Sequence, residues 1–256
     1  MDLLILALIG LALGLSLGLF GGGGGILAIP LLVAAGMSAD EAGTTSLIVV
    51  GIGAIGGLIP HARAGRVDFQ RGTVFGVLGI AGAVTGSLLA LRTDDQLQLV
   101  AFAGLLVVAG VMMLRKSLGQ SADADATGNG AASGHRAPWP LVVITALLVG
   151  ALTGFFGVGG GFLVVPALVL VLGMSIHRAT ATALLVIVIN SAAAFIPRAT
   201  EAFDPAAVVV VTAGVLVASA AGARWSGHWS RRSLGVGFAV LVLGMSALTV
   251  AQASVG

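Results

Sequence analysis

Long apolar runs follow one another along the chain, separated by short polar stretches, and within each run the apolar residues are continuous. Strands of an outer-membrane barrel would alternate apolar and polar residues instead, so the runs predict helices in a bundle. They lie at 3–19, 26–36, 43–60, 72–91 and 97–115, then at 139–156, 162–172, 179–197, 205–223 and 233–252. Most approach the ~20 residues that cross a bilayer. The run 26–36 would rise only ~16 Å as a helix, about half the hydrocarbon core. Residues 3–36 as one unbroken helix would reach ~50 Å, far too long. A break is required, and it falls at Gly21, Gly22, Gly23, Gly24 and Gly25, each of which costs a helix ~1 kcal/mol relative to alanine.

The chain repeats itself. Gly18-Leu19-Phe20-Gly21-Gly22-Gly23-Gly24-Gly25-Ile26-Leu27-Ala28-Ile29-Pro30 matches Gly154-Phe155-Phe156-Gly157-Val158-Gly159-Gly160-Gly161-Phe162-Leu163-Val164-Val165-Pro166 at an offset of 136. After one inserted residue, Gly36-Met37-Ser38 matches Gly173-Met174-Ser175, and Ile59-Pro60 matches Ile196-Pro197. The expected organisation is a first transmembrane repeat over 1–116, a solvated cytoplasmic linker over 117–138, rich in Gly, Ser, Ala and Asp, and a second repeat over 139–256.

Each half holds a broken pair followed by three clean spans. Whether the pair dips and returns or crosses twice, it changes side an even number of times. Three further spans make each half odd, so the halves are expected to point in opposite directions. Charge agrees. With the amino terminus outside, the inner side receives ten basic residues, Arg63, Arg66, Arg71, Arg115, Lys116, Arg136, Arg178, Arg224, Arg231 and Arg232, and the outer side two, Arg92 and Arg198. Asp40, Glu41, Asp94 and Asp95 also fall outside. The fold class expected is an all-α polytopic membrane protein of two inverted-topology repeats, an architecture shared by many secondary transporters.

Composition sharpens the class. Of 256 residues, 58% are hydrophobic and only 9% charged, with a mean hydropathy of +1.12; soluble domains carry about 25% charged residues. Net charge is +2, but the basic residues sit in short loops as topology determinants. They form no aromatic-bearing basic face of the kind nucleic acid requires. With no cysteine, disulfides and thiolate chemistry are excluded. The start, Met1-Asp2-Leu3-Leu4, lacks the basic region of a signal peptide, so the first run reads as a mature helix.

The repeated glycine turns carry the candidate chemistry. Unsatisfied backbone at membrane depth is tolerated where protein or a water-filled cavity surrounds it. The helices starting after Gly25 and after Gly157, Gly159, Gly160 and Gly161 would aim free N–H groups and positive dipole ends at a shared anion site near the midplane. Gly10, Gly14 and Gly18, at four-residue spacing, read as helix packing. No Lys-Ser or Lys-Thr follows either glycine run, which argues against a nucleotide phosphate loop. Asn190 and Ser191 are polar within a span; Thr44, Thr45 and Ser46 begin one helix and Thr180 and Thr182 its counterpart. Their hydroxyls either donate to an anion or bond their own helix carbonyls. His61 and Arg198 each follow the proline that is expected to end a helix. They read as attractors at the two mouths or as interfacial residues whose charged heads reach water. Every Asp and Glu falls in a loop or at a helix end, and His135, His177 and His228 in loops, so neither a buried carboxylate relay nor a catalytic constellation is present.

The doubled pattern of phenylalanine, glycine run, short apolar step and proline, Phe20 to Pro30 and Phe156 to Pro166, resembles the TauE/SafE family of sulfite exporters over nearly the whole chain except the linker. Gly22 departs from it, standing where the second copy has the more usual apolar residue, Val158. The resemblance implies export of sulfite or of organosulfonates such as sulfoacetate, without choosing among them. The expectation is a multi-pass protein of the bacterial inner membrane that exports small sulfur-containing anions, with no enzyme activity and no cofactor or metal. Its partners would be the anion and the lipid bilayer, with homodimerisation open. The alternatives are an anion importer or channel, and a scaffold whose glycines serve only packing.

Overall fold

The computed structural model describes residues 3–20, 24–119, 138–159, 161–201, 203–225, 240 and 243–247, and these are helical apart from short turns. The helices are α1 (Leu3–Phe20), α2 (Gly24–Ala34), α3 (Ala39–Arg63), α4 (Phe69–Ala90), α5 (Asp95–Gly119), α6 (Trp139–Phe156), α7 (Gly161–Leu170), α8 (Ile176–Arg198) and α9 (Pro205–Trp225). Each matches an apolar run, so length and composition decided the elements. Five of them, α3, α4, α6, α8 and α9, are long and apolar enough to cross a membrane. The last run, 233–252, and most of the linker lie largely outside the described residues.

Boundaries differ where local chemistry extends a helix. The Ser38 hydroxyl accepts from Glu41 N–H at 3.2 Å, so α3 starts four residues before the apolar run does. Asp68 does the same for α4, accepting from Arg71 N–H at 3.0 Å. Pro60 and Pro197, expected to end their helices, lie inside the last turns of α3 and α8. A proline removes one helical hydrogen bond, and near a C-terminus the chain tolerates that loss. The correction matters because it places His61 and Arg198 within helices.

Packing runs through glycine. A Cβ on Gly14 or Gly18 of α1 would strike the backbone of α9 at Val215 or Ser219, and one on Gly150 or Gly154 of α6 would strike α4 at Gly79 or Ala83. Adding 136 to Gly14, Gly18, Gly79 and Ala83 gives Gly150, Gly154, Val215 and Ser219, so the two contacts exchange under the repeat. Gly10, Gly14 and Gly18 are packing residues, as their spacing indicates.

Contact order gives the directions. Residue numbers rise together along α1 with α9, α3 with α9, α4 with α6, and α4 with α8; Gly53 meets Val215 while Gly56 meets Ser219, and Gly72 meets Thr182 while Gly79 meets Asn190. Those helices run parallel. Along α3 and α8 the numbers oppose: Gly43 meets Arg198, Gly51 meets Ser191 and Gly57 meets Leu184. The described bundle is therefore two parallel trios, α1–α9–α3 and α6–α4–α8, joined antiparallel at the α3–α8 seam. Phe102 and Leu106 of α5 cover Ile26, Ile29, Phe156 and Val158 beside the helix breaks.

Candidate functional site

The second glycine turn is clasped between the two central helices. Gly157 ends α6 in the left-handed region (φ 67°) and donates its N–H to the Thr153 carbonyl at 2.9 Å. Gly159 is left-handed as well, at φ 68°, a conformation that a Cβ makes costly. Space also demands glycine there. A Cβ on Gly157 would stand 2.7 Å from the Gly43 Cα, and one on Gly159 would stand 2.6 Å from Val50 Cγ1, 3.3 Å from Ser191 Oγ and 3.4 Å from Ile187 Cγ2. Gly43, Ser46 and Val50 share one face of α3 by their three- and four-residue spacing, and Ile187, Ser191 and Arg198 share one face of α8.

The two helices of the clasp carry polar groups without partners. The Ser46, Thr45 and Ser191 hydroxyls are buried and find no hydrogen-bond partner among the described residues. Burying an unpaired hydroxyl costs about 1–3 kcal/mol, so such groups ask for a function. α7 begins at Gly161, two residues beyond Gly159, and presents its N-terminal N–H groups and positive dipole end here. Hydroxyl donors beside a helix start suit an anion.

The structure brings some of the expected residues together and separates others. Gly25, at the start of α2, packs against the Val158 carbonyl, so the two breaks approach each other. Gly24 lies in the first turn of α2; Gly21, Gly22, Gly23 and Gly160 lie outside the described residues. Thr44 is taken up by its own helix, donating to the Asp40 carbonyl at 3.0 Å, and Thr182 accepts from Asp68 N–H at 3.0 Å. Asn190 and Ser191, adjacent in sequence, face different walls. Ser191 faces the turn and Gly51 of α3. The Asn190 amide lies over Gly79 of α4, where a Cβ would meet both its nitrogen and its oxygen at 2.9 Å, and neither amide atom has a partner among the described residues.

Neither His61 nor Arg198 reaches water as an interfacial side chain would. His61 is 3% exposed, beside the Gly18 backbone, with Nε2 unpartnered among the described residues. Arg198 is fully buried. Its Nε donates to Ser87 Oγ of α4 at 3.2 Å, Nη1 to the Asp40 carbonyl of α3 at 3.4 Å and Nη2 to the Phe155 carbonyl of α6 at 3.4 Å. Its carboxylate neighbour, Asp40 Oδ1, is 3.9 Å away. His177, expected in a loop, is exposed in the first turn of α8.

Ser46 is the residue that sequence reasoning passed over, taken there only as one of three hydroxyls at a helix start. The repeat held a signal. An offset of 137 sets Ala183 against Ser46 and Ala54 against Ser191, so the hydroxyls around the second turn have alanines at the matching positions of the first. The two halves thus differ in polarity at these positions.

The sequence profile of the family described as sulfite exporter TauE/SafE matches residues 6–249. This chain belongs to that family. It is similar to a probable membrane transporter protein of Xylella fastidiosa strain Temecula1, with 36% identity over 184 residues, 68% of this chain and 65% of the relative. It also resembles the probable membrane transporter protein YdhB of Bacillus subtilis, with 26% identity over 225 residues, 87% of this chain and 90% of the relative. The match thus spans 65% of the Xylella protein's length. No solved structure matches. Family membership and the apolar helices make this a multi-pass membrane protein.

Proposed function

We propose that the protein exports small sulfur-containing anions, sulfite or organosulfonates, across the bacterial inner membrane, binding them at the second glycine turn. The observation that carries this reading is the buried, unpartnered Ser191 hydroxyl set against Gly159 just ahead of α7, with the buried, unpartnered Ser46 hydroxyl on the α3 face that also carries Gly43 and Val50. The substrate class comes from the family description. The antiparallel α3–α8 seam and the exchange of the α1–α9 and α4–α6 contacts support two inverted repeats, whose opposed halves would expose one central site to either side in turn. No Asp or Glu lies in the interior of a described helix, so the anion's own charge is the coupling element. Leaving a negative-inside cell releases ~2.3 kcal/mol per charge per 100 mV, or ~40- to 50-fold in concentration. The family and the relatives described as probable membrane transporter proteins favour transport alone, without enzyme activity.

The test is flux of an organosulfonate that stays ionised from pH 6 to 8, in reconstituted vesicles with potential clamped by potassium and valinomycin. Efflux should follow the imposed potential. Flux that ignores potential and follows a pH gradient would overturn the uncoupled reading, and no flux of any sulfur oxyanion would overturn the function.

A further inference from the structure

Arg198 is held more loosely than a buried cation ordinarily is. Charge-assisted N–H···O bonds run about 2.7–2.9 Å, whereas all three of its hydrogen bonds lie between 3.2 and 3.4 Å. Two of those three acceptors are neutral carbonyls and the third is a hydroxyl, which itself donates to the Ala194 carbonyl at 2.7 Å. The nearest carboxylate among the described residues, Asp40, stands beyond hydrogen-bonding reach at 3.9 Å and is shared, accepting from Gln98 Nε2 of α5 at 3.1 Å, while Glu201 and Asp95 act on the guanidinium as well. A desolvated guanidinium thus has carboxylates around it, but none of those named is hydrogen-bonded to it.

Its position gives a more closely bound counter-ion a source. Arg198 lies on the α8 face of Ser191, seven residues on, which is about 10 Å along the helix. It grips the Phe155 carbonyl at the end of α6, just ahead of the glycine turn. A Cβ on Gly43 would come within 2.9 Å of its Nη1, so glycine at that position of α3 gives the guanidinium its room. Beyond Arg198, Asp40 joins Ser38, Glu41, Glu201, Phe203 and Asp204 in lining a cleft of about 440 Å³. Asp40 therefore belongs both to the cleft and to the arginine.

We propose that the Arg198–Asp40 pair is a gate, and that a transported oxyanion displaces Asp40 from the guanidinium, so that Arg198 forms a second anion station between the turn site and the cleft. This rests on the transport reading above. Asp40 is then a built-in competitor: it occupies the cation weakly when no anion is there and yields when one arrives. The carboxylate's 39% exposure lets it swing toward water when it yields.

The experiment measures initial rates of radiolabelled sulfite flux against concentration for wild type, Asp40→Asn, Glu41→Gln, Arg198→Gln and Arg198→Lys. Thermal unfolding of each purified protein with and without sulfite accompanies it, reading anion binding independently of flux. Asp40→Asn keeps an oxygen for Gln98 and removes only the competing charge, so half-saturation should fall about two- to five-fold, the range of a partly exposed ion pair. Arg198→Gln should raise it roughly tenfold or more, with Arg198→Lys in between. Glu41→Gln removes an equal charge from the same cleft without touching Arg198, and should shift half-saturation less than Asp40→Asn does. Half-saturation unchanged or raised in Asp40→Asn, or matched by Glu41→Gln, would overturn the gate while wild-type flux preserves the transport reading. If wild type carries no sulfite, the unfolding series decides: sulfite must stabilise Asp40→Asn more than wild type, and equal or weaker stabilisation overturns the gate.

Discussion

Replacing Gly159 with alanine separates backbone strain from close approach, because the same fold provides a control. Gly159 has φ 68° and Gly173, in the turn after α7, has φ 62°. A Cβ at either position enters the left-handed region at a cost of about 1–2 kcal/mol. At Gly173 nothing lies within 4 Å of that Cβ, whereas at Gly159 it meets Val50 Cγ1 at 2.6 Å and Ser191 Oγ at 3.3 Å. Val50 is on a central helix and fully packed, so relief requires α3 to move or Val50 to leave its rotamer. Overpacking of that kind adds about 1–3 kcal/mol. Gly173→Ala should therefore lose about 1–2 kcal/mol of stability and transport normally. Gly159→Ala should lose about 2–5 kcal/mol and have its flux abolished, the new methyl standing where backbone and ligand meet. The assay pairs vesicle flux with thermal unfolding in detergent, normalised to protein recovered in the membrane. Equal flux in the two variants, once that recovery is matched, would show that the second turn is a packing element and place the site elsewhere.

Two further outcomes follow from the same geometry. Ser46→Ala and Ser191→Ala each remove a buried hydroxyl that has no partner among the described residues, so each should weaken anion flux while leaving the unfolding temperature unchanged or higher, a gain of up to about 1–3 kcal/mol. A parallel loss of flux and of stability would mean the hydroxyls hold the fold together. For topology, cysteines introduced across 36–43 should label from outside and those across 117–138 from inside, given the ten-to-two division of basic residues; labelling of both from one side would refute the inverted arrangement.

The sequence by itself determined the helices, the breaks and the doubling. Continuous apolar runs near bilayer length leave no other way to satisfy the backbone in lipid, and a run of five glycines marks a break, although α2 starts within the run, at Gly24. Gly10, Gly14 and Gly18 showed their packing role in their spacing alone. Capping was local too, yet it moved the start of α3 to Ala39 because Ser38 and Glu41 act through one hydrogen bond that an apolar pattern does not register. What only the tertiary structure decided is which polar residues face each other. Asn190 and Ser191 are neighbours in sequence but about 100° apart around α8, so one meets α4 and the other the glycine turn, and only the placement of those partners tells them apart. Thr44 and Ser46 looked alike as hydroxyls at a helix start; one is satisfied by the carbonyl four residues before it, and the other is buried without a partner among the described residues, on the helix face whose Gly43 and Val50 meet Gly157 and Gly159. Arg198 read as a residue at the membrane surface because sequence reports a charge after a proline and says nothing of Ser87, Asp40 and Phe155, which come from three other helices to enclose it. Long-range contacts of that kind are set by how the parallel trios meet at the α3–α8 seam, and no local pattern along the chain encodes the meeting.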